Sequence, residues 1–229
     1  MTDFALVPAH NEAENIEELI VRLRKHKEIE LIVVDDGSID GTPEIVKGLG
    51  VTLLTLKTRK GKGQALKEGF SHVLQKRPEA KYIVLIDADM QYLPEEVPKI
   101  LEPLKKGEAD LVSGYRNFSN IPYRHKMGNF AWRTLFNMLF GVKFKDTNCG
   151  FMAMTREAMK KMVDMIYGGY IIENAIFIQA IKNKMRIKQV PVSVVYHRIS
   201  KIARGIRVVA GVLIFILLEG FKYRLGIKD

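Results

Sequence analysis

Ile83-Val84-Leu85-Ile86-Asp87-Ala88-Asp89-Met90-Gln91 is an apolar, β-branched run that ends in two carboxylates one residue apart. Such a run reads as a buried strand, and its end delivers both acids to the carboxyl edge of a sheet, where α/β proteins bind ligands. A pair of this kind either finishes a strand in polar fashion or offers oxygen ligands to a hard divalent cation able to hold a diphosphate. Asp87 and Asp89 are therefore candidate metal ligands.

Four more short apolar runs, at Phe4 to Val7, Leu31 to Val34, Val51 to Leu56 and Leu111 to Ser113, are bounded by Gly, Pro or Asp. Helical patterns fall between them at Ile16 to Lys25, Thr42 to Lys47, Gly63 to Leu74 and Leu93 to Lys105, with Thr42-Pro43 forming an N-cap and first-turn proline. Strand and helix alternate, so the expected fold class is α/β with a mostly parallel twisted sheet flanked by helices. Beyond Tyr115 the pattern predicts a polar loop from Arg116 to Lys126 and a helix to about Phe140. Further helices are predicted at Thr155 to Ile166 and Ile172 to Asn183, then a strand at Arg186 to Val195. We expect a catalytic domain over 1–195, with a donor half over 1–115 and an acceptor half over 116–195, followed by basic amphipathic helices over 196–229.

The 229 residues carry a formal charge of +10 and one cysteine, Cys149. A single cysteine excludes an intrachain disulfide framework and suits a reducing compartment. Met1-Thr2-Asp3-Phe4 has no basic stretch followed by an apolar one, so no signal peptide is expected. The excess charge is local: from Ile181 onward eleven Lys or Arg face only Glu219 and Asp229. A basic tail interleaved with aliphatic residues points to an anionic membrane surface rather than to nucleic acid, or else to a solvated basic face. Val208 to Leu218 is uncharged but too short to span a bilayer, which needs about 20 apolar residues. Ile199, Ile202 and Ile206 recur at helical spacing beside Arg198, Lys201, Arg204 and Arg207, a pattern for a helix lying in the membrane plane or for one packed on the sheet. The expected location is cytoplasmic, peripheral on the cytoplasmic face of the membrane. Association is direct, through a membrane subunit or by homo-oligomerisation.

Val7-Pro8-Ala9-His10-Asn11-Glu12 closes the first strand, and Val33-Val34-Asp35-Asp36-Gly37-Ser38-Ile39-Asp40-Gly41-Thr42 closes the second with another acidic edge. A carboxylate there can accept from a base N–H. The order Val-Pro-Ala-x-Asn-Glu, Val-Asp-Asp-Gly-Ser-x-Asp-Gly-Thr and Asp-Ala-Asp resembles the family 2 glycosyltransferases of GT-A fold, across most of the chain. The resemblance implies a nucleotide-sugar donor, a divalent metal and inversion at the anomeric carbon. It places Pro8, Ala9, Glu12, Asp36 and Asp89 at the donor, Asp36 beneath the base and Asp89 on the metal.

Arg59-Lys60-Gly61-Lys62-Gly63-Gln64 opens a helix with two glycines and lacks Walker spacing; Lys62 is either a diphosphate or base contact or a solvated cation. The continuation Asp87-Ala88-Asp89-Met90-Gln91-Tyr92-Leu93-Pro94-Glu95 resembles the polyprenyl-phosphate branch, which includes dolichyl-phosphate mannose and glucose synthases, and the resemblance implies that Gln91 joins Asp87 and Asp89 at a metal, Mn2+ or Mg2+. Ser113-Gly114-Tyr115-Arg116 is similar to a Gly-Ser-Arg motif of that branch, and Asp146-Thr147-Asn148-Cys149-Gly150-Phe151 to an Asp-x-x-Ser-Gly-Phe motif. Tyr115 and Cys149 stand where serine is usual.

Hydroxyl-directed relatives offer a Glu-Asp pair whose aspartate is the base, whereas here the residues are Glu173-Asn174. A phosphate monoester arrives ionised and needs no base. Arg116, Arg124, Arg133 and Arg198 are candidates to bind an acceptor phosphate, and Asp89, Arg116 and Glu173 are the candidate catalytic residues, Glu173 as an alternative base. The expected activity is transfer of mannose, glucose or an N-acetylhexosamine from a GDP- or UDP-sugar to dolichyl or polyprenyl phosphate. Transfer to a sugar hydroxyl, a nucleotidyltransferase and a non-catalytic nucleotide-binding module are the rivals. His10 and His197 have no second histidine at metal-binding spacing, and the many methionines suit core gaps.

Overall fold

The computed structural model describes residues 2–116, 123–165, 171–195 and 202–227, with the side chains of 123–129 and 202–209 outside that description. Seven strands, β1 (Thr2–Ala9), β2 (Ile29–Asp35), β3 (Thr52–Thr55), β4 (Ala80–Leu85), β5 (Leu111–Arg116), β6 (Met152–Thr155) and β7 (Ile187–Val192), form one sheet in the order β3-β2-β1-β4-β6-β5-β7. All neighbours run parallel except β6, which is antiparallel to both β4 and β5. The helices are α1 (Ile16–Leu23), α2 (Thr42–Gly48), α3 (Lys62–Lys76), α4 (Val97–Lys105), α5 (Tyr123–Phe140), α6 (Arg156–Met162), α7 (Ile172–Lys182) and α8 (Ile202–Arg224).

The continuous apolar runs follow from burial on both sheet faces. Along β1, Phe4 and Leu6 enter one core cluster with Phe70 and Phe177, while Ala5 and Val7 enter the other with Leu19 and Phe151. This two-residue alternation divides the strand between the helical layers. β1 lies between β2 and β4, so the chain's winding reverses there and the carboxyl ends of β1 and β4 diverge to leave a crevice.

Two elements differ from expectation. β6 was not anticipated: Met-Ala-Met-Thr carries a single β-branched residue, Thr155, and the gap between β4 and β5 makes these four residues a strand. Thr155, expected to begin a helix, ends β6 and caps α6 by accepting from the Ala158 N–H at 3.1 Å. The helix expected from Leu93 divides into a 3₁₀ turn at Pro94–Glu96 and α4.

In α8, Ile202, Arg204, Ile206 and Arg207 have side chains outside the described set, and His197, Arg198, Ile199 and Lys201 lie outside the described residues altogether. From residue 210 onward the helix packs one side against the protein. Val212 and Ile216 are buried toward the body of the protein, and Glu219 meets Lys182 of α7 at 3.0 Å. Arg224 donates to the carbonyls of Leu139 and Met138 at the end of α5, both at 2.6 Å. With the charges spent on that seam, the outward side is apolar: Ile214, Leu218, Phe221 and Leu225 are exposed. Among the described residues no helix is long and apolar enough to cross a membrane.

Candidate active site

The crevice is a cavity of about 430 Å³, within the usual range for small-molecule sites. Pro8, Ala9, Glu12, Asp36, Lys62, Asp87, Asp89, Gln91, Arg116 and Glu173 all line it, so residues spread over most of the chain converge. His10, Arg59, Trp132, Asn148 and Val212 line it as well. Arg133 lies on α5 outside this lining; its Nη1 donates to the Lys145 carbonyl at 3.3 Å and its guanidinium sits 5.3 Å from the Phe130 ring centre. Arg124 has its side chain outside the description, and Arg198 lies outside the described residues.

The end of β2 is fastened to the basic loop. The Asp36 carboxylate, 4% exposed, accepts the backbone N–H of Lys60 at 2.6 Å and of Gly61 at 2.7 Å. Its own carbonyl contacts His10 Nδ1 at 2.8 Å. Gly37 turns with φ +68°, and a Cβ there would come within 2.7 Å of the Arg59 nitrogen, so only glycine allows this approach. Asp36 thus shapes the loop carrying Arg59 and Lys62, and reaches a base only with the oxygen lone pairs these N–H groups leave over.

At the end of β4, Asp89 Oδ1 accepts from the Gln91 N–H at 3.1 Å, after a turn through Met90 at φ +57°. Burial, reinforced by the charge of Asp87, pushes the Asp89 carboxyl up to about 6. Burial also raises Glu12, with Asp40 and Asp87 adding to it and the hydrogen bond from Asn15 opposing. Both carboxylates are therefore costly to ionise without a bound cation. Among the described residues no three His, Cys, Asp or Glu side chains are gathered as a ready metal cage. Asp87 and Asp89 remain a two-carboxylate set with the hard oxygen chemistry that Mn2+ and Mg2+ require.

Lys62, the first residue of α3, bridges two elements: its Nζ lies 2.6 Å from Asp87 Oδ1 and 2.7 Å from Glu173 Oε1 on α7. Burial alone would favour the neutral amine, but the two carboxylates outweigh it and hold the amine far above its usual value. Gly150 closes over this group, since a Cβ at that position would overlap the Asp87 carboxylate and come within 2.9 Å of Lys62 Nζ.

On the far side, Arg116 at the end of β5 makes a fork with Asp146, Nε to Oδ2 at 2.7 Å and Nη2 to Oδ1 at 3.0 Å. Asp146 is fully buried and also accepts the Asn148 N–H at 3.0 Å, which fixes the loop running into β6. Cys149 is buried and its thiol is pushed up to about 12 by burial, so it is no nucleophile near neutral pH. Asn174 is buried and donates to Asn148 Oδ1 at 2.7 Å, a contact an aspartate could not make while ionised. The lining by Trp132 and Val212 follows from α5 packing against α8, a tertiary contact that no local pattern announces. His10 and Asn148 stand within the quoted Val7–Glu12 and Asp146–Phe151 motifs, where nothing in the sequence singles them out for the site.

The model of the family described as Glycosyl transferase family 2 matches residues 4–165. An uncharacterised protein of Methanocaldococcus jannaschii is 34% identical over 206 residues, covering 84% of this chain and 88% of that one. The UDP-N-acetylglucosamine–dolichyl-phosphate N-acetylglucosaminyltransferase of Methanococcus voltae is 29% identical over 242 residues, covering 96% and 95%. The polyprenol monophosphomannose synthase of Mycolicibacterium smegmatis is 30% identical over 204 residues, covering 82% and 75%. Among solved structures, the glucosyl-3-phosphoglycerate synthase of Mycobacterium tuberculosis, in complex with Mn2+, UDP and phosphoglyceric acid, superposes with a TM-score of 0.78 at 23% identity, over 100% of this chain and 80% of that one. That likeness shows the shared fold, the GT-A arrangement expected from the motifs. By the extent of the family match, the chain belongs to glycosyl transferase family 2.

Proposed function

We propose that this glycosyltransferase moves a sugar from a GDP- or UDP-sugar to the phosphate of a dolichyl or other polyprenyl lipid, with inversion at the anomeric carbon. The observation that carries it is the cavity's division of charge: Asp87 and Asp89 on one strand end, with Arg59, Lys62 and Arg116 around them. The relatives named for dolichyl-phosphate and polyprenol transfer support the acceptor class.

In this reading residues 1–115 hold the donor and 116–195 the acceptor. Pro8, Ala9, Glu12 and Asp36 take the nucleoside, and Lys62 with the Arg59–Gly61 loop faces the diphosphate. Asp87 and Asp89, with Gln91 beside them, hold the divalent cation, as the structural relative crystallised with Mn2+ and UDP supports. The cation supplies neutralisation of the charge that develops on the leaving diphosphate. Arg116, kept in place by Asp146, orients the acceptor phosphate so that one oxygen attacks the anomeric carbon in line, with positioning and charge complementarity doing most of the catalysis. Arg133 on α5 is a further candidate for the acceptor phosphate, as are Arg124 and Arg198, whose side chains lie outside the description. The exposed apolar side of α8 rests on the membrane's cytoplasmic face, which brings the cavity to its lipid. Release of nucleoside diphosphate that depends on polyprenyl phosphate and on Mn2+ or Mg2+ tests the assignment; release with sugar hydroxyl acceptors alone would reassign the acceptor.

A further inference from the structure

Glu173 is the carboxylate that could have served as a base in this cavity, and it is not available. It stands second in α7, 13% exposed, and its Oε1 is held 2.7 Å from Lys62 Nζ. The same amine is anchored from the other side by Asp87 at 2.6 Å. Gly150 bounds the group from above, where even a methyl would collide with both Asp87 and Lys62. The amine is thus held between two carboxylates, with the Gly150 backbone beside it. The residue after Glu173 is Asn174, whose amide is tied to Asn148, so no second carboxylate replaces it.

We propose that Lys62 makes the site selective for an acceptor that arrives already ionised, by holding Glu173 in an ion pair that denies it the role of base toward water and hydroxyl acceptors. The proposal rests on the reading of the cavity as a sugar-transfer site with a phosphate acceptor. A hydroxyl must lose a proton as it attacks, so an occupied Glu173 leaves water and sugar hydroxyls without a proton acceptor, whereas a phosphate monoester dianion needs none. Lys62 is in this sense a positioning residue acting through Glu173, in addition to facing the donor. The consequence is protection of the nucleotide sugar from hydrolysis while the enzyme waits for a scarce lipid.

Replacing Lys62 by methionine releases Glu173 beside the donor. Water then attacks the anomeric carbon and passes its proton to the Glu173 carboxylate. The carbon–oxygen bond to the diphosphate breaks with its electron pair on the departing nucleoside diphosphate, and free sugar is the other product. The experiment compares nucleoside diphosphate release at saturating donor, with and without polyprenyl phosphate, in wild type, Lys62→Met, Lys62→Arg and the double variant Lys62→Met/Glu173→Gln. Lipid-independent hydrolysis is expected to rise about 10-fold or more in Lys62→Met, up to the ~10²- to 10⁴-fold that a fully positioned base contributes. It should return to the wild-type level in Lys62→Arg and vanish in the double variant. Gly150→Ala, whose methyl would overlap the Asp87 carboxylate and crowd Lys62 Nζ, perturbs the same ion pairs and is expected to raise hydrolysis in the same direction. Unchanged hydrolysis in both Lys62→Met and Gly150→Ala, with donor still bound, would overturn the proposal, as would a rise that persists without Glu173. A wild type that ignores polyprenyl phosphate would instead overturn the acceptor assignment, so the two failures are distinguishable.

Discussion

Asp36 at the end of β2 accepts the backbone N–H of Gly61 at 2.7 Å, so one carboxylate joins the first half of the sheet to the loop that opens α3. Asp36→Asn keeps the size of the side chain but turns one acceptor into an NH2 group facing a backbone N–H. Hydrogen bonds to charged groups contribute roughly 1.5–3 kcal/mol, so donor affinity should fall about 10-fold or more. Calorimetric titration with UDP and GDP measures this, and an unchanged Kd would remove Asp36 from the donor site.

Asp89 carries a cost in the metal-free protein. Its carboxyl is pushed from the usual 3.8 up to about 6 by burial and by Asp87, so between those values the folded state binds more protons than the unfolded one. Stability therefore falls as pH rises through about 4 to 6, and the full cost is present above that window. Thermal melts in chelator should show Asp89→Asn more stable than wild type at pH 7.5, with the difference gone below about pH 4. The same variant should lose about 10²-fold or more in turnover, the scale expected for a group that stabilises developing charge. A variant less stable than wild type at pH 7.5 would contradict the electrostatic account.

Glu219 is buried between Lys182 and Lys222, at 3.0 and 2.9 Å, and fastens α8 to α7. Glu219→Ala leaves Lys182, itself mostly buried, beside an apolar seam. Breaking a fully buried pair costs about 3–5 kcal/mol; partial exposure of both lysines lowers the expectation to about 1–3 kcal/mol. Chemical denaturation reads this directly. A midpoint equal to wild type would mean that Val212 and Ile216 alone hold α8.

The outward side of α8 exposes Ile214, Leu218 and Phe221 in a chain whose last 49 residues carry a strong positive excess. Co-sedimentation with anionic vesicles should detect binding that weakens as salt rises, because exposed charges are screened over about 10 Å at 0.1 M. Leu218→Glu with Phe221→Glu should reduce that binding several-fold while leaving the fold intact. Equal binding by the double variant would move the contact to another surface.

Most of the donor half was legible because its information is local. Each strand is a short apolar run, and each ends in residues whose chemistry has no use in a core: Pro8, Asp36, Asp87 and Asp89. Parallel topology then brings those ends together. The later half was less legible, since β6 owes its strand state to the slot between β4 and β5 rather than to its own Met-Ala-Met sequence. Trp132 and Val212 reach the cavity only because α5 and α8 pack together. The sequence marked Lys62 as a cation near phosphate, but its partnership with Glu173, 111 residues away, exists only in the folded chain. The charge pattern of the last helix rests on Arg198, Lys201, Arg204 and Arg207, whose side chains lie outside the description; beyond residue 210, Glu219 and Arg224 turn to α7 and α5 and leave Ile214, Leu218 and Phe221 exposed.

The most direct measurement is mass spectrometry of the lipid fraction after incubating the protein with a panel of GDP- and UDP-sugars, Mn2+ or Mg2+, and a polyprenyl phosphate. The account predicts a new species heavier than the lipid phosphate by one sugar residue, formed with one donor class and absent in Asp89→Asn. Lipid phosphate recovered unmodified with every donor, while the same protein glycosylates a sugar hydroxyl, would contradict it.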